Sequence, residues 1–340
     1  MRPNNFDLGR LLLAAIIVFY HCGALSHQAS LDLLARIDSR APVEGFFAIS
    51  GCLIFASWDR CASLGDYAAK RARRILPGYF GVTLLCVLIA LGFTHRFTDW
   101  KFLLANASFL NFLHPGIDGV FDHAPENAAM NGSLWTIRIE IMFYFAVPIV
   151  VWLGRKLGRD RFFVAVAVLS VLYRYAALGK LPPFHHAHRE LSNALPGQMS
   201  FFAVGALIYH HLPTFRRVGK WLVLPALAAY VHAELTGTYF LRPLAIPVLV
   251  LGFCFLLPEM KGPTRWGDFS YGTYLLHWPI IQSLIRLGLF DRSPWGATAL
   301  VAALVACAAV VSWNFVEKPF LGRAAPRPAP AAREAQKVAA

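Results

Sequence analysis

Ten stretches of this chain stay apolar for 16 residues or more, and that constrains the fold more than any motif does. They are residues 8–26, 43–58, 77–94, 134–153, 162–179, 196–211, 221–236, 240–257, 272–290 and 295–316. About 20 apolar residues in a helix cross the hydrocarbon core of a bilayer. A helix also satisfies its own backbone N–H and C=O groups where no water can. Segments 43–58 and 196–211 are short for a crossing, so their helices are expected to extend into the adjoining loops. The predicted fold is all-α: a polytopic membrane bundle of about ten transmembrane helices. The composition agrees. The chain is 57% hydrophobic and only 15% charged, against roughly 25% charged in a soluble domain, so a large soluble enzyme is excluded. No small-residue cleavage site follows the first apolar segment, which therefore reads as a span and not as a cleaved leader. The cysteines (Cys22, Cys52, Cys61, Cys86, Cys254 and Cys307) lie singly, with no spacing that suggests zinc or a disulfide framework.

Charge sets the orientation. With a cytoplasmic N-terminus, 21 of the 32 Lys and Arg residues fall in inner segments and seven in outer ones. The remaining four, Arg138, Arg174, Arg242 and Arg286, fall within spans. This is the positive-inside pattern for ten spans with both termini cytoplasmic. It also accounts for the net charge of +13 without nucleic acid as a partner. Residues 100–113 are too short and too polar for a span and read as a re-entrant or interfacial segment on the outer side. The polar loop 114–133 follows. The tail 321–340, rich in Ala, Pro and Arg, is expected to be disordered and cytoplasmic, which leaves 1–320 as one membrane domain.

Ionisable residues inside such spans are costly and point to function by default. His21 lies in the first span, 11 residues after Arg10. That is about 1100° of helix, three turns and about 20°, so both side chains face the same way roughly 16 Å apart. Arg10 falls at the cytoplasmic edge and His21 near the midplane. Asp7 is one turn before Arg10 and placed to pair with it. Each residue also has a bland reading, Arg10 as an interfacial anchor and His21 as a neutral hydrogen-bonder to a neighbouring helix. Arg71 and Arg74 share one helical face in KRARRILPGY, residues 70–79. Such a pair suits phosphate and equally suits lipid headgroups. Glu140 lies inside a span with Tyr144 at i+4, at a depth compatible with His21, so a His–carboxylate acid–base pair and a structural inter-helix pair are both open. Glu44, at the outer mouth of the second span, and His277, in FSYGTYLLHWPI, are weaker candidates. His185, His186 and His188 resemble a metal tract but lack a carboxylate or cysteine partner set, so no metal is expected.

Taken in order, these stretches resemble the bacterial acyltransferase family 3, polytopic membrane enzymes that O-acylate sugars. The matching residues are DLGRLLLAAIIVFYH (7–21) with its Arg10-x10-His21 spacing, FFAISGCLI (46–54), and the Arg71/Arg74 pair followed by ILPGY. SLWTIRIEIMFY (133–144), FSYGTYLLHWPI (269–280) and NFVEKPF (314–320) complete the set. Glu44 stands where the family more usually has Asp. The resemblance implies that 1–320 is a membrane acyltransferase domain in the bacterial cytoplasmic membrane. It implies acyl-CoA, most often acetyl-CoA, as co-substrate, with no permanently bound cofactor. The acceptor would be a hydroxyl of a carbohydrate or glycolipid, with membrane lipids as the surroundings and self-association left open. It assigns His21 and Glu140 to catalysis, and Arg10, Arg71, Arg74, Glu44, Trp135, Tyr144 and His277 to substrate binding. The rival readings are a transporter with midplane ionisable residues and a non-catalytic assembly protein. The topology is tested by cysteine-labelling reporters in the 114–133 loop and in the tail: opposite sides of the membrane are expected, and the same side for both would refute it.

Overall fold

The computed structural model describes residues 4–95, 100–122, 128–180, 188–260 and 262–321. Among these residues the chain is helical, with a single isolated bridge between Gly116 and Ala129. The long helices are α1 (Phe6–Ser26), α2 (Arg40–Trp58), α3 (Leu64–Thr94), α4 (Trp135–Leu157) and α5 (Arg159–Ala177). They continue with α6 (Leu195–His210), α7 (Leu212–Thr236), α8 (Arg242–Leu256), α9 (Ser270–Arg286) and α10 (Pro294–Val311). Each overlaps one of the apolar segments.

Among the described residues six helical stretches are long and apolar enough to cross a membrane: Phe6–Ser26, Ala29–Trp58, Leu64–Thr94, Gly132–Leu157, Leu191–His210 and Pro294–Phe320. The chain is therefore a multi-pass membrane protein. The stretches containing α2 and α6 do extend beyond the apolar segments, as their short length required. Helices α5, α7, α8 and α9 fall short of that standard because they are shorter or carry more charge; α8 has 15 residues and α9 has 17. The segment 100–113 contains one short helix, Trp100–Ala107, whose Asn106 carbonyl accepts the Tyr79 hydroxyl at 3.0 Å.

The largest departure from the predicted boundaries is at α3, which begins at Leu64 and not near residue 77. Ser63 caps it, its hydroxyl accepting the Asp66 N–H at 3.1 Å, and Asp66 pairs with Lys70 at 2.8 Å. Polar residues thus open a helix that becomes apolar only about three turns later, and Arg71 and Arg74 sit on it rigidly. Leu84 and Leu88 on α3, Phe145, Ile149 and Trp152 on α4, and Leu224 and Leu235 on α7 are exposed. An apolar outer surface of this kind suits contact with lipid.

Helix α9 is interior: 13 of its 17 residues are buried. It packs along α1, and the two run parallel. Helices α2 and α6 approach more closely still. A Cβ at Gly51 would lie 2.1 Å from the Phe202 carbonyl oxygen, and one at Gly205 would lie 2.1 Å from that of Ala48. Small residues that let backbones touch are a common way to pack helices in lipid. Gly51→Ala and Gly205→Ala should each lower stability by about 1–3 kcal/mol through overpacking. Gly92→Ala, where an added Cβ meets nothing within 4 Å, should be neutral or stabilising by up to about 1 kcal/mol. Thermal unfolding of the detergent-solubilised protein would compare the three, and equal effects would contradict the α2–α6 packing.

Candidate active site

At the end of the bundle where α1 and α9 begin, the end expected to face inward, a single carboxylate holds three helices. Asp268, just before α9, takes Arg10 of α1 on Oδ2 at 2.8 Å and Arg74 of α3 on the same oxygen. Its Oδ1 accepts the Ser270 hydroxyl at 2.5 Å. Burial alone would raise the Asp268 pKa. The guanidiniums of Arg10 and Arg74, with the Ser270 hydrogen bond, outweigh it and hold the carboxyl well below the usual range. Asp7 also meets Arg10, at 2.5 Å, as its spacing predicted. Arg71 is held differently: it donates to the Ser57 hydroxyl at 2.9 Å and lies over the Tyr144 ring at 5.6 Å.

Arg10, Arg71 and Arg74 line one internal cavity together with Glu140, Tyr144 and Tyr274. Its volume is ≈ 100 Å³. Tyr144 donates its hydroxyl to Glu140 at 2.6 Å, the i, i+4 contact the sequence suggested. Nε of Arg10 and Nε of Arg71 are buried without a hydrogen-bond partner. Asp268 and Asp7 take up part of the charge of Arg10 and Arg74, which leaves Arg71 as the lining guanidinium best placed for an anion. The cavity wall runs along α4 from Tyr144 to Thr136, about 12 Å toward the middle of the bundle.

At that depth His21 meets His277. His21 Nδ1 and His277 Nε2 are 2.9 Å apart, and the rings stack with centroids 5.0 Å apart. Trp278 closes edge-on against His21 at 4.8 Å. His277 Nδ1 lies 2.6 Å from the Tyr274 carbonyl, an acceptor only, so this nitrogen carries the proton. With both rings neutral the remaining roles are fixed. His277 Nε2 accepts from the N–H at His21 Nδ1, and the free lone pair falls on His21 Nε2. The start of α4 and the segment before it brace this arrangement: Asn131 donates to the Leu275 carbonyl at 2.8 Å, and Thr136 donates to the Tyr274 hydroxyl at 2.8 Å. Gly132 is required there, because a Cβ would stand 2.5 Å from the Trp278 ring.

The expected pairing of Glu140 with His21 is thus replaced by His277 with His21. Glu140 faces the arginine end of the cavity through Tyr144. The reason is depth. Glu140 is one turn further in than Thr136, the residue on α4 that touches the Tyr274 turn. Trp135 is half-buried against the core and does not line the cavity. Glu44 also lies elsewhere, in an outer cluster. Its Oε2 accepts from Arg242 Nε at 2.9 Å, and its Oε1 is 3.0 Å from Arg174 Nη2. Arg242 further pairs with Asp38 at 2.8 Å and with Glu234. His185 and His186 lie outside the described residues, His188 is exposed, and among the described residues no cluster of three His, Cys, Asp or Glu is placed to hold a metal.

Sequence reasoning missed Asp268, and it counted Arg174 and Arg242 as in-span charges without naming their partners. The signal was present: a charge within a span must find a counter-charge. Removing one partner of a buried ionic bridge costs about 3–5 kcal/mol. Because Arg10 and Arg74 are partly solvated, Asp268→Asn should cost nearer the lower figure. A carboxylate held below its usual pKa gives stability that is full above about pH 4 and is lost as pH falls further. Unfolding followed down to about pH 3 should show that acid loss in the natural protein and a weaker one in Asp268→Asn. Identical acid limbs would refute the bridge.

Comparison with known proteins agrees with the geometry. The chain is 27% identical over 354 residues to the O-acetyl transferase of Shigella phage Sf6, covering 96% of this chain and 98% of that protein. It is 28% identical over 364 residues to nodulation protein 10 of Rhizobium leguminosarum bv. viciae, covering 93% and 92% of the two chains. No solved structure matches it. The family model described as an acyltransferase domain matches residues 4–314, so the chain belongs to the membrane acyltransferase family 3.

Proposed function

We propose that this protein moves an acyl group, acetyl in the first instance, from cytoplasmic acyl-CoA to a hydroxyl of a cell-surface or exported carbohydrate. The setting is the bacterial cytoplasmic membrane, with all ten long helices spanning and both termini inside. The observation that carries the reading is the cavity itself: Arg10, Arg71 and Arg74 line its inner end, and Tyr274, whose carbonyl holds His277, lines it too. An anionic donor entering from the cytoplasm is met by guanidiniums, and its thioester arm lies along α4 toward His21. The name of the phage relative supports acetyl as the group transferred. The family resemblance supports a carbohydrate acceptor.

In this mechanism His21 Nε2 takes the proton of the acceptor hydroxyl as its oxygen attacks the thioester carbonyl carbon. The C–S bond breaks as the tetrahedral intermediate collapses, and the CoA thiolate leaves with the proton from the His21 imidazolium. His277 is a positioning residue. It accepts the Nδ1 proton of His21, fixes the tautomer, and shares the positive charge as it forms, the role a carboxylate plays in a catalytic triad. Arg71 and Arg74 bind the donor's phosphates, and Glu140 holds Tyr144 against them.

Radiolabelled acetyl transfer from acetyl-CoA in purified proteoliposomes tests the reading. His21→Ala should lower turnover by about 10²–10⁴-fold while the protein still inserts and binds donor. His21→Gln should not restore it, since an amide cannot take the proton. His277→Leu should lower turnover less than His21→Ala does. His277→Gln, which keeps an acceptor for the Nδ1 proton, should recover part of that loss. Near-normal transfer by His21→Gln would make the histidine a structural hydrogen-bonder and end the proposal.

A further inference from the structure

A second cavity lies at the inner ends of α2, α4, α5 and α6, with a volume of ≈ 670 Å³. Its inner wall is aromatic: the half-buried rings of Trp58 and His210 border it, backed by the buried Phe55 and Phe163, with ring centroids of Phe55, Phe163 and His210 5.2 to 5.8 Å apart. His210 Nε2 is buried there without a hydrogen-bond partner. The rim carries Arg155, Arg159 and Arg161. The rim carboxylates are already engaged: Asp59 accepts the Tyr209 hydroxyl at 2.8 Å, and Asp160 meets His211 at 2.9 Å. Arg155 and Arg161 have no ion-pair partner among the described residues. Aromatic faces for a flat base, an unfilled polar atom in the wall and unpaired guanidiniums at the mouth are the elements of a nucleotide site.

The position of this cavity decides which nucleotide. On α2, Ile54 lines the first cavity and Phe55 and Trp58 the second. On α4, Tyr144 lines the first and Val150 the second, about 9 Å further toward the cytoplasm. Tyr67 lies between the two as a buried ring, edge-on to Trp58 at 5.0 Å and bonded to the Tyr144 carbonyl at 3.2 Å. Arg71 lies at the junction, lining the first cavity and bonded to Ser57 beside Trp58. We propose that the second cavity binds the adenine nucleotide end of the acyl donor, with the diphosphate at Arg71 and Arg74 and the thioester arm in the first cavity. This rests on acyl-CoA being the donor. A lipid headgroup would use the rim arginines but would leave the aromatic wall and His210 without a purpose.

The test uses the full chain in nanodiscs of phosphatidylcholine alone, with adenosine 3′,5′-bisphosphate as the probe. The probe should bind, and free CoA should displace it. Arg155→Gln and Arg161→Gln, both exposed and unpaired and so not needed for folding, should each weaken it roughly tenfold. The same variants should raise the KM for acetyl-CoA by a similar factor, and the defect should vanish with acetyl-pantetheine, which lacks the nucleotide. A defect equally large with acetyl-pantetheine would overturn the assignment. So would unchanged probe binding in both variants, or displacement of the probe by anionic lipid added to the nanodiscs but not by CoA. Two outcomes separate this inference from the proposed function. Arginine-dependent probe binding without any acyl transfer would sink the function and keep the nucleotide site. Acyl transfer with an unchanged KM in both variants would do the reverse.

Discussion

The carboxylate of Asp268, shared by Arg10 and Arg74, is the contact on which the rest of the site depends. It ties α1, α3 and α9 at their inner ends and sets the register between α1 and α9. From Arg10 to His21 is 11 residues and from Asp268 to His277 is nine, rises of about 16 and 14 Å. Two parallel helices joined at the bottom by that ionic contact therefore bring the two imidazoles to one depth. A slip of one residue would displace a ring by about 1.5 Å along the axis and rotate it by about 100°, enough to lose the 2.9 Å contact. The same carboxylate limits what Arg10 and Arg74 can do for a ligand. Their charge is partly spent on Asp268, whereas Arg71 has only the Ser57 hydroxyl and the Tyr144 ring. Of the three, Arg71 is the one free to give most of its charge to an incoming anion.

The outer cluster around Arg242 does the corresponding work at the other end. Arg242 is 1% exposed and meets Glu44, Asp38 and Glu234, which joins α2, α7 and α8 to the loop before α2. Arg174 of α5 adds a contact to Glu44 and lies over Tyr239 at 4.4 Å. Buried ion pairs give little net stability, because desolvation offsets most of the attraction, but losing one partner is expensive. Here their effect is on geometry: the guanidinium fork accepts few arrangements of its carboxylates. Between these two clusters the contacts are mainly apolar and aromatic, and the glycine contacts of α2 with α6 supply the close fit there.

Much of the fold was legible because the bilayer forces it. Every apolar segment of the sequence has its helix, and the i, i+3 and i, i+4 contacts of Arg10 with Asp7 and Tyr144 with Glu140 form as the spacing required. The α3 boundary was misplaced because hydropathy reports where a helix enters lipid, not where it begins, and Ser63 starts the helix well before that point. The long-range pairings were not legible. Nothing local in FSYGTYLLHWPI says that His277 will meet a residue 256 positions earlier, and nothing in GDFSYG marks Asp268 as the partner of two arginines. Such pairings are properties of helix order and register, which a single sequence carries only through the rule that buried charges must be matched. Applied to Arg174 and Arg242, that rule would have pointed to Glu44 as an anchor for arginines at the outer end.

The choice of a second histidine, and not a carboxylate, beside His21 follows from where the pair sits. A carboxylate at that depth brings a full negative charge into a place with little water, at a cost of several kcal/mol even when it is paired. His277 brings none. Its Nδ1 proton is taken by the Tyr274 carbonyl, and its Nε2 offers one lone pair in the direction where His21 needs an acceptor. With both rings neutral, the histidine pair then holds no net charge. In the proposed mechanism charge appears only when the acceptor hydroxyl gives up its proton, and it appears as a pair: an imidazolium on His21 beside an oxyanion on the attacked carbonyl. In a medium of low dielectric such a pair attracts strongly at contact distance, so the surroundings that make a lone charge costly favour the two together. A neutral base in an apolar setting is thus matched to the transition state and not to the resting state, the condition under which binding energy accelerates a reaction.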